Sequence, residues 1–324
     1  MLTYIIRRLL YSIVVLFLAS FIIFSFVALS SDPLGYLKMQ PNVSQETIKN
    51  IEQRKHLNSS IPVRYVYWVQ DAVTNDFGTT VNGSQPILPN LLRALGHTIQ
   101  LVFIAELLAL LVGVGIGVYS ALRQYSPFDY TATTFSFVGL AIPVFWLALM
   151  LQVLVVQVYE KTGFTLFPVT SLSSVNPGTG IHFILDRAWH LVLPVIVLMV
   201  ASVATYSRYM RASMLEVVNS DYVRTARAKG VSESGVQMKH AFRNALIPIV
   251  TLVALNFGAL LGGVVVTETV FGLDGMGLYF VNALGQGDPY PVMAWLMVTA
   301  TMIIVFNLIA DIAYGYLDPR VRYD

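Results

Sequence analysis

The sequence predicts an all-α integral membrane protein with six transmembrane helices. Only 12% of its 324 residues are charged, whereas about 25% are charged in ordinary soluble proteins. Hydrophobic residues make up 56% of the chain, and a soluble domain of this size could not cover its surface with so little polar area. The apolar residues are concentrated in six stretches, each near the length of about 20 residues with which a helix crosses a bilayer.

The predicted spans are, in chain order, Leu9–Leu29, Thr98–Leu122, Tyr130–Tyr159, Trp189–Tyr206, Ile247–Phe271 and Val292–Tyr314. The first span follows Arg7 and Arg8, as the apolar core of a signal peptide would. Its apolar core of about 20 residues is longer than that of a signal peptide, and no small-residue cleavage site follows. We therefore expect a retained signal anchor.

Basic residues set the predicted orientation, because short cytoplasmic loops carry an excess of Lys and Arg. With the N-terminus inside, the inner segments hold twelve of them: Arg7, Arg8, Arg123, Arg208, Arg211, Arg224, Arg227, Lys229, Lys239, Arg243, Arg320 and Arg322. The two short outer loops hold only Lys161 and Arg187, and the other six lie in a long outer segment, whose charge has little influence on orientation. Both termini are therefore expected to be cytoplasmic.

The spans divide the chain into four parts. Residues 1–29 form the cytoplasmic N-terminus and the first span, and residues 30–97 a long extracytoplasmic segment. Residues 98–315 form the membrane core, which contains a cytoplasmic loop at 207–246, and residues 316–324 form a cytoplasmic tail. In the outer segment a short helix is predicted from Pro62 to Ala72, with Tyr65 and Trp68 on one face. We expect this helix to lie on the membrane surface, where Tyr and Trp are favoured.

A glycine run in the second span is superficially similar to a phosphate-binding loop. However, Gly113, Gly115 and Gly117 follow no strand, and the chain has no Gly-Lys-Ser/Thr element. Small residues at this spacing, like Gly258 and Gly262, are typical of helices that pack closely in lipid. The chain is therefore not expected to bind or hydrolyse a nucleotide on its own.

Protease, metal and nucleic-acid sites are also disfavoured. The segment Gly285-Gln286-Gly287-Asp288 is similar to an intramembrane aspartyl protease motif, but that chemistry needs two carboxylates close together. No second aspartate is predicted at the depth of Asp288. The five histidines never fall three or four residues apart, and the chain has no cysteine, so no metal site is predicted. A net charge of +2 gives no indication of nucleic-acid binding.

Three carboxylates within the predicted spans are functional candidates, because charged groups are costly in lipid. Glu106 and Glu268 are candidates for lining a translocation path. Packing is the alternative for Glu106, and local packing or capping is an equal alternative for Glu268. Asp311 lies near the inner end of the sixth span, where we expect it to extend toward Arg320.

The strongest functional signal is the cytoplasmic loop between the fourth and fifth spans. It is predicted to form two short helices, the first capped by Ser220 and ended by Gly230 in a conformation costly for other residues. Ser232 can cap the second helix, which places Glu233 at its positive end. This pattern indicates a docking surface for a cytoplasmic partner. The candidate docking residues are Asp221, Tyr222, Arg224, Thr225, Ala226, Arg227, Lys229, Gly230, Ser232, Glu233, Gln237, Lys239 and His240.

This loop resembles the cytoplasmic signature loop of a known family, the permease subunits of binding-protein-dependent ATP-binding-cassette (ABC) importers. The similarity is greatest to the dipeptide, oligopeptide and nickel branch, and it extends over nearly the whole chain. The other matching motifs are Arg7-Arg8, Pro62-Val63-Arg64-Tyr65, Asn75-Asp76-Phe77-Gly78, Pro143-x-Phe145-Trp146, Thr267-Glu268-Thr269-Val270-Phe271 and Leu317-Asp318-Pro319-Arg320-Val321-Arg322-Tyr323.

The resemblance implies a type I ABC importer-like permease in the bacterial cytoplasmic membrane, which moves peptides by alternating access. It implies a second homologous permease subunit, one or two ATPase subunits and an extracytoplasmic substrate-binding protein as partners. ATP and Mg²⁺ would bind to the ATPase subunits, so the chain itself would have no cofactor and no catalytic residue. In this family the short helix of the loop is the coupling helix, which sits in a cleft of the ATPase.

The loop departs from the general signature of the superfamily, which is Glu-Ala-Ala, three residues, Gly, nine residues and Ile-x-Leu-Pro. Counting back from Gly230, the Glu-Ala-Ala positions hold Arg224, Thr225 and Ala226, and the first proline after the glycine is Pro248. Loops of the peptide branch commonly look like this, so the departure favours that branch.

Other functions remain as alternatives. Within the family, nickel or another small solute is the alternative substrate. A proton-coupled secondary transporter would need inverted repeats or broken helices around a site at the bilayer midplane, and the sequence shows neither. A membrane enzyme would need paired catalytic groups at matching depth, and none is visible.

Overall fold

The computed structural model describes residues 2–30, 32–41, 43–74, 77–81 and 85–317. Over these residues the protein is helical, with one isolated β-bridge between Thr79 and Pro86. Arg320 and the C-terminal motif from Asp318 onward lie outside the described residues.

Among the described residues, five helices are each long and apolar enough to cross a membrane, namely Ile6–Ser30, Ile87–Leu122, Val144–Thr162, Ile181–Val218 and Pro289–Ile312. Helix Ile247–Leu260 supplies a sixth apolar stretch, and it meets the preceding helix Glu233–Ala245 at an angle of 40°. The predicted all-α fold with six spans is therefore confirmed.

Fifteen α-helices and one π-helical segment are assigned in the described part of the chain. In chain order they are α1 (Leu2–Ser30), α2 (Gly35–Met39), α3 (Gln45–Arg54), α4 (Ile61–Thr74), α5 (Ile87–Leu122), α6 (Pro127–Ala141), α7 (Val144–Thr162), α8 (Ile181–Val218), α9 (Asp221–Ala228), α10 (Glu233–Gly235), the π-helical segment (Val236–Phe242), α11 (Arg243–Ala245), α12 (Ile247–Gly263), α13 (Val265–Phe271), α14 (Met276–Gly285) and α15 (Pro289–Leu317).

Two of the predicted spans are interrupted, so their assignment as single helices was wrong. The third, predicted over Tyr130–Tyr159, consists of α6 and α7, which are separated at Ile142 and Pro143. Proline has no N–H to continue the helical hydrogen bonds, and it restricts the residue before it. The fifth span, predicted over Ile247–Phe271, is divided at Val264 into α12 and α13.

The fourth span is much longer than predicted. The predicted span ends at Tyr206, just before Arg208 and Arg211, but α8 continues to Val218. Polar side chains end an apolar stretch without interrupting backbone hydrogen bonds, so the helix extends beyond its apolar part. The first part of the predicted cytoplasmic loop at 207–246 is therefore a continuation of a transmembrane helix.

Helices α5 and α8 pack against each other along most of their length and form the centre of the bundle. Two glycines of α5 allow this close approach. A Cβ atom built at Gly113 would lie 2.8 Å from the Cβ of Tyr206, and one at Gly117 would lie 2.6 Å from the carbonyl oxygen of Ser207. The predicted packing role is confirmed for these two glycines but not for Gly115, which has open space around it.

The outer segment is folded onto the membrane helices. The predicted helix at Pro62–Ala72 forms as part of α4, but its aromatic face packs on α1 and does not face lipid. Tyr65 is hydrogen-bonded to Ser20 with 2.7 Å between the hydroxyl oxygens, and Trp68 lies against Phe24. Burial of these large rings against α1 explains why the helix is not free to lie on the membrane surface.

Two carboxylates attach elements to α15. Asp288, just before α15, is buried and accepts a hydrogen bond from the backbone N–H of Val81 at 2.6 Å, which fixes the outer segment to this helix. Asp311, near the C-terminal end of α15, forms an ion pair with Arg8 of α1 at 3.0 Å. The partner of Asp311 within the described residues is thus Arg8, whereas the predicted partner Arg320 lies outside them.

Candidate functional site

The candidate docking segment comprises residues 221–245, from the start of α9 to the end of α11. Its first helix is α9, which covers Asp221–Ala228. Ser220 occupies the N-cap position, but its hydroxyl donates to the carbonyl of Val217 at 2.6 Å and does not cap the helix as predicted. Gly230, two residues beyond α9, has a φ of +77°, which confirms the predicted conformation. Only glycine adopts this backbone region at no steric cost.

The second helix begins where it was predicted and continues further. The hydroxyl of Ser232 accepts a hydrogen bond from the backbone N–H of Gly235 at 3.4 Å, which confirms its role as a cap. Helix α10 then continues through the π-helical segment Val236–Phe242 into α11. A bend of 40° separates this element from α12, so the docking segment leads directly into a membrane helix.

Contacts between the two helices hold the docking segment together. The guanidinium of Arg227 donates to both carboxylate oxygens of Glu233, at 3.0 Å from Nη2 and 3.2 Å from Nε. These hydrogen bonds lower the pKa of Glu233 from its ordinary value of 4.5 and raise that of Arg227. Val223 and Val236 also pack together in one buried apolar cluster. These contacts fix the position of α9 relative to the second helix.

Most of the candidate docking residues are exposed, as a docking surface requires. Ala226 is the exception, because it is buried against Val223 and Val236. Gln237 and His240 are partly buried, and the exposed candidates are Asp221, Tyr222, Arg224, Thr225, Arg227, Lys229, Gly230, Ser232, Glu233 and Lys239. The same surface includes two apolar residues that the sequence reasoning missed, Val231 and Met238, the latter 56% exposed. The signal that could have identified these two residues is their apolar character within an otherwise polar loop.

The docking segment is joined to the membrane bundle by buried apolar residues. Met210 and Met214 of α8 pack against Ala241, Ala245 and Ile249, which belong to the end of the segment and the start of α12. The hydroxyl of Ser213 also donates to the carbonyl of Ala245 at 3.0 Å. A displacement of the docking segment is therefore passed to α8 and α12 together.

Glu106 lies in the centre of the bundle, where α5 faces α8. It is 3% exposed, and its two carboxylate oxygens accept hydrogen bonds from Ser202 at 2.6 Å and from the hydroxyl of Tyr206. Asn256 of α12 donates to the same Tyr206 hydroxyl at 3.1 Å. This polar network connects three membrane helices, so in this conformation Glu106 pairs across the interfaces between α5, α8 and α12.

Glu268 in α13 is 1% exposed and has a different set of donors. The hydroxyl of Thr98 donates to Oε1, and the backbone N–H of Gly277 donates to Oε2, both at 2.6 Å. The carboxylate therefore lies at the start of α14, where a negative charge is favoured. In this conformation Glu268 fixes α14 against α5 and α13. In the described part of the chain, no group of three His, Asp or Glu side chains is placed to hold a metal ion.

Two family matches together cover almost the whole chain. Residues 113–323 match the family described as binding-protein-dependent transport system inner membrane component. Residues 1–107 match the corresponding N-terminal family of the same membrane component. The chain belongs to this permease family.

Similar curated proteins cover the permease over its full length. The oligopeptide transport system permease protein AppB of Bacillus subtilis (strain 168) is 40% identical over 100% of both chains. The oligopeptide permease OppB of Mycobacterium tuberculosis (strain H37Rv) is 36% identical over 98% of both chains. The dipeptide permease DppB of Escherichia coli (strain K12) is 32% identical over 100% of this permease and 99% of its own chain.

Solved structures show the same fold. The inward-facing methionine ABC transporter MetNI contains a chain that aligns with a TM-score of 0.57 over 72% of this permease and 99% of that chain. The sequence identity is only 15%, so this similarity concerns the fold. The predicted resemblance and the predicted fold are thus confirmed, and the protein is a membrane-spanning permease subunit of an ABC importer, located in the inner membrane.

Proposed function

We propose that this permease moves oligopeptides or dipeptides across the bacterial cytoplasmic membrane, driven by ATP hydrolysis in separate subunits. The substrate class rests on relatives named as oligopeptide and dipeptide permeases that align over the full length. The coupling role rests on one structural observation, the exposed two-helix segment that is braced internally and packed on α8 and α12.

In this proposal the docking segment fits a cleft of an ATPase subunit, and ATP with Mg²⁺ binds there and not to this chain. A second homologous permease completes the pathway, and an extracytoplasmic binding protein delivers the peptide. One or two kinds of ATPase chain serve the two permeases. Both termini are cytoplasmic, in keeping with the distribution of basic residues.

Glu106 and Glu268 belong to the proposed moving parts. Each carboxylate connects helices that must separate or slide when access alternates, α5 with α8 for Glu106 and α5 with α13 and α14 for Glu268. Both are buried here, so we propose that they reach a peptide only when these helices move apart. A carboxylate then offers a partner for the positive N-terminus of a peptide.

The test is reconstitution of the permease with its co-expressed ATPases, second permease and binding protein in lipid vesicles. We expect the subunits to co-purify, and we expect labelled di- to pentapeptides to accumulate inside only when ATP is supplied on the ATPase side. The permease without ATPase subunits is the control and should transport nothing. Uptake driven by a proton gradient without ATP would contradict the proposal and favour a secondary transporter.

The same vesicles distinguish the substrates. Peptide uptake is measured against uptake of radioactive Ni²⁺, each with and without a tenfold excess of the other solute. We expect peptides to be transported and excess Ni²⁺ to leave peptide uptake unchanged. Uptake of Ni²⁺ alone would overturn the peptide assignment while leaving the importer assignment in place.

A further inference from the structure

A buried ion pair joins the cytoplasmic ends of α5, α6 and α8. Asp129, in the first turn of α6, is 2% exposed. Its carboxylate accepts two parallel hydrogen bonds from Arg211 of α8, from Nε to Oδ1 at 2.6 Å and from Nη2 to Oδ2 at 2.7 Å. The hydroxyl of Ser120 in α5 donates to Oδ1, and the backbone N–H of Tyr125 donates to Oδ2 at 3.0 Å. One carboxylate thus holds three helices and the turn between two of them.

The local backbone is arranged to complete this ion-pair cluster. Tyr125 has a φ of +63°, a conformation that is costly for a residue other than glycine. This conformation directs the N–H of Tyr125 to the carboxylate of Asp129, to which it donates a hydrogen bond. The backbone N–H of Asp129 in turn donates to the hydroxyl of Ser126 at 3.2 Å. Gly117, one turn before Ser120, allows α5 to approach α8 closely at the same level.

The cluster lies on the path from the docking segment into the membrane. Arg211 is on α8, and this helix continues without interruption to Val218, shortly before α9 begins at Asp221. A movement of α9 is therefore carried along α8 to Arg211. Separating α8 from α6 would leave Asp129 buried without its partner, which is far more costly than moving the two helices together.

We propose that Asp129 and Arg211 are positioning residues that make the inner halves of α5, α6 and α8 one rigid unit. Through this unit the movement of the docking segment reaches the membrane helices. The inference rests on the proposed function, because it assigns to the ion pair the transfer of ATP-driven movement. Without the pair, α8 moves with the ATPase while α5 and α6 do not follow.

The test is the number of peptides transported per ATP hydrolysed, measured in vesicles that contain the complete importer. Asp129→Asn keeps the shape of the side chain and removes its charge, and Arg211→Lys keeps the charge but loses the paired hydrogen bonds. We expect ATP hydrolysis to continue in both variants. We expect the peptide-to-ATP ratio to fall about tenfold in Asp129→Asn, the effect of losing one charge-assisted interaction, and less in Arg211→Lys.

Ser136→Ala is the matched control. Ser136 and Ser207 are hydrogen-bonded at 3.0 Å in the same α6–α8 interface, but the contact carries no charge and does not involve α5. We expect this variant to keep the native peptide-to-ATP ratio. The melting temperature of each complex is measured alongside, so that a loss of folding is distinguished from a loss of coupling.

A native ratio in Asp129→Asn would overturn the inference. So would a ratio that falls in proportion to the melting temperature in all three variants, because that result shows a merely structural role. Failure of the proposed function would appear differently, as an absence of ATP-dependent peptide uptake by the native complex.

Discussion

At the scale of single residues, Glu106 is the group whose role can be tested most directly. Glu106→Ala removes the acceptor for both Ser202 and Tyr206 and leaves their hydroxyls buried without it. Unsatisfied buried groups cost about 1–3 kcal/mol, while interhelical hydrogen bonds in membranes average about 0.6 kcal/mol. We expect a loss of about 1 kcal/mol in stability and a clear loss of uptake, with assembly intact.

The informative comparison for Glu106 is with Glu106→Gln and Tyr206→Phe. Gln keeps one acceptor oxygen, and Tyr206→Phe removes one donor while leaving the carboxylate in place, so both should be milder than Glu106→Ala. The measurements are uptake in vesicles and the amount of assembled complex. Normal uptake by both Glu106→Ala and Glu106→Gln would remove Glu106 from the translocation path.

Single residues also show what a sequence can reveal in a membrane protein. Glu106 was identified because a carboxylate in an apolar stretch is rare and costly. Its partners were not, since Ser202, Tyr206 and Asn256 are ordinary residues whose proximity depends on how α5, α8 and α12 pack. Asp129 was not identified from the sequence because it stands at the edge of a predicted span, where an aspartate is common. Its contact with Arg211, like the contacts of Glu106, depends on how the helices pack.

At the scale of structural elements, Gly230 is the vulnerable point of the docking segment. Its φ of +77° is strained for any β-branched residue, and such strain costs about 1–3 kcal/mol. A Cβ atom built there meets nothing within 4 Å, so the cost arises from the backbone and not from a clash. We expect Gly230→Val to insert and assemble but to redirect the second helix and lose both ATP-dependent uptake and peptide-stimulated ATP hydrolysis.

A closely matched control for this change exists at the C-terminal end of α7. Gly163 has a φ of +70° and also has nothing within 4 Å of a built Cβ, but it lies away from the docking segment. Gly163→Val should carry the same backbone strain and retain uptake. The two variants are compared for assembly, ATP hydrolysis and uptake. Full coupling in Gly230→Val would place the docking site elsewhere.

The ion pair between Arg227 and Glu233 gives a second prediction at this scale. Because both groups are exposed to solvent, the pair contributes little to stability. Reversing either charge should reduce uptake moderately, more at low salt than at high salt, whereas the double exchange Arg227→Glu with Glu233→Arg should restore much of it. No recovery in the double variant would show that Arg227 acts on the ATPase and not on Glu233.

The pH dependence of this pair follows from the direction of its pKa shifts. The pKa of Glu233 is lowered by the Arg227 guanidinium, so the stabilisation is present above the ordinary value of 4.5 and is lost as the pH falls through the lowered value. Between about pH 6 and 8 both groups stay charged. The difference in uptake between the native and the charge-reversed permease should therefore be constant over this range.

The elements differ in how far the sequence determined them. The cap at Ser232 and the turn at Gly230 were predictable because each depends on one residue and its neighbours. The cap predicted at Ser220 did not form, because its hydroxyl donates to the carbonyl of Val217 instead. The continuation of α8 to Val218 and the packing of α4 on α1 were not, because both depend on tertiary contacts. Residues such as Arg208 marked the end of the apolar stretch, which is a different boundary from the end of the helix.

At the scale of the whole molecule, orientation in the membrane is the property that connects every functional assignment. The number and composition of the spans follow from apolar stretches, which the sequence displays directly. Their inside and outside ends follow from basic residues alone, and the protein's own contacts do not depend on which side faces the cytoplasm. If the orientation were reversed, the docking segment could not meet an ATPase.

Cysteine labelling tests this orientation, and the chain has no native cysteine to give background. Val175→Cys lies in the predicted outer loop, where Val175 is 97% exposed, and Ser234→Cys lies on the exposed side of the docking segment. A membrane-impermeant thiol reagent should label Val175→Cys in intact cells. It should label Ser234→Cys only after the membrane is opened, because the bilayer separates the two positions. Labelling of Ser234→Cys in sealed cells would reverse the topology and remove the basis for ATPase docking.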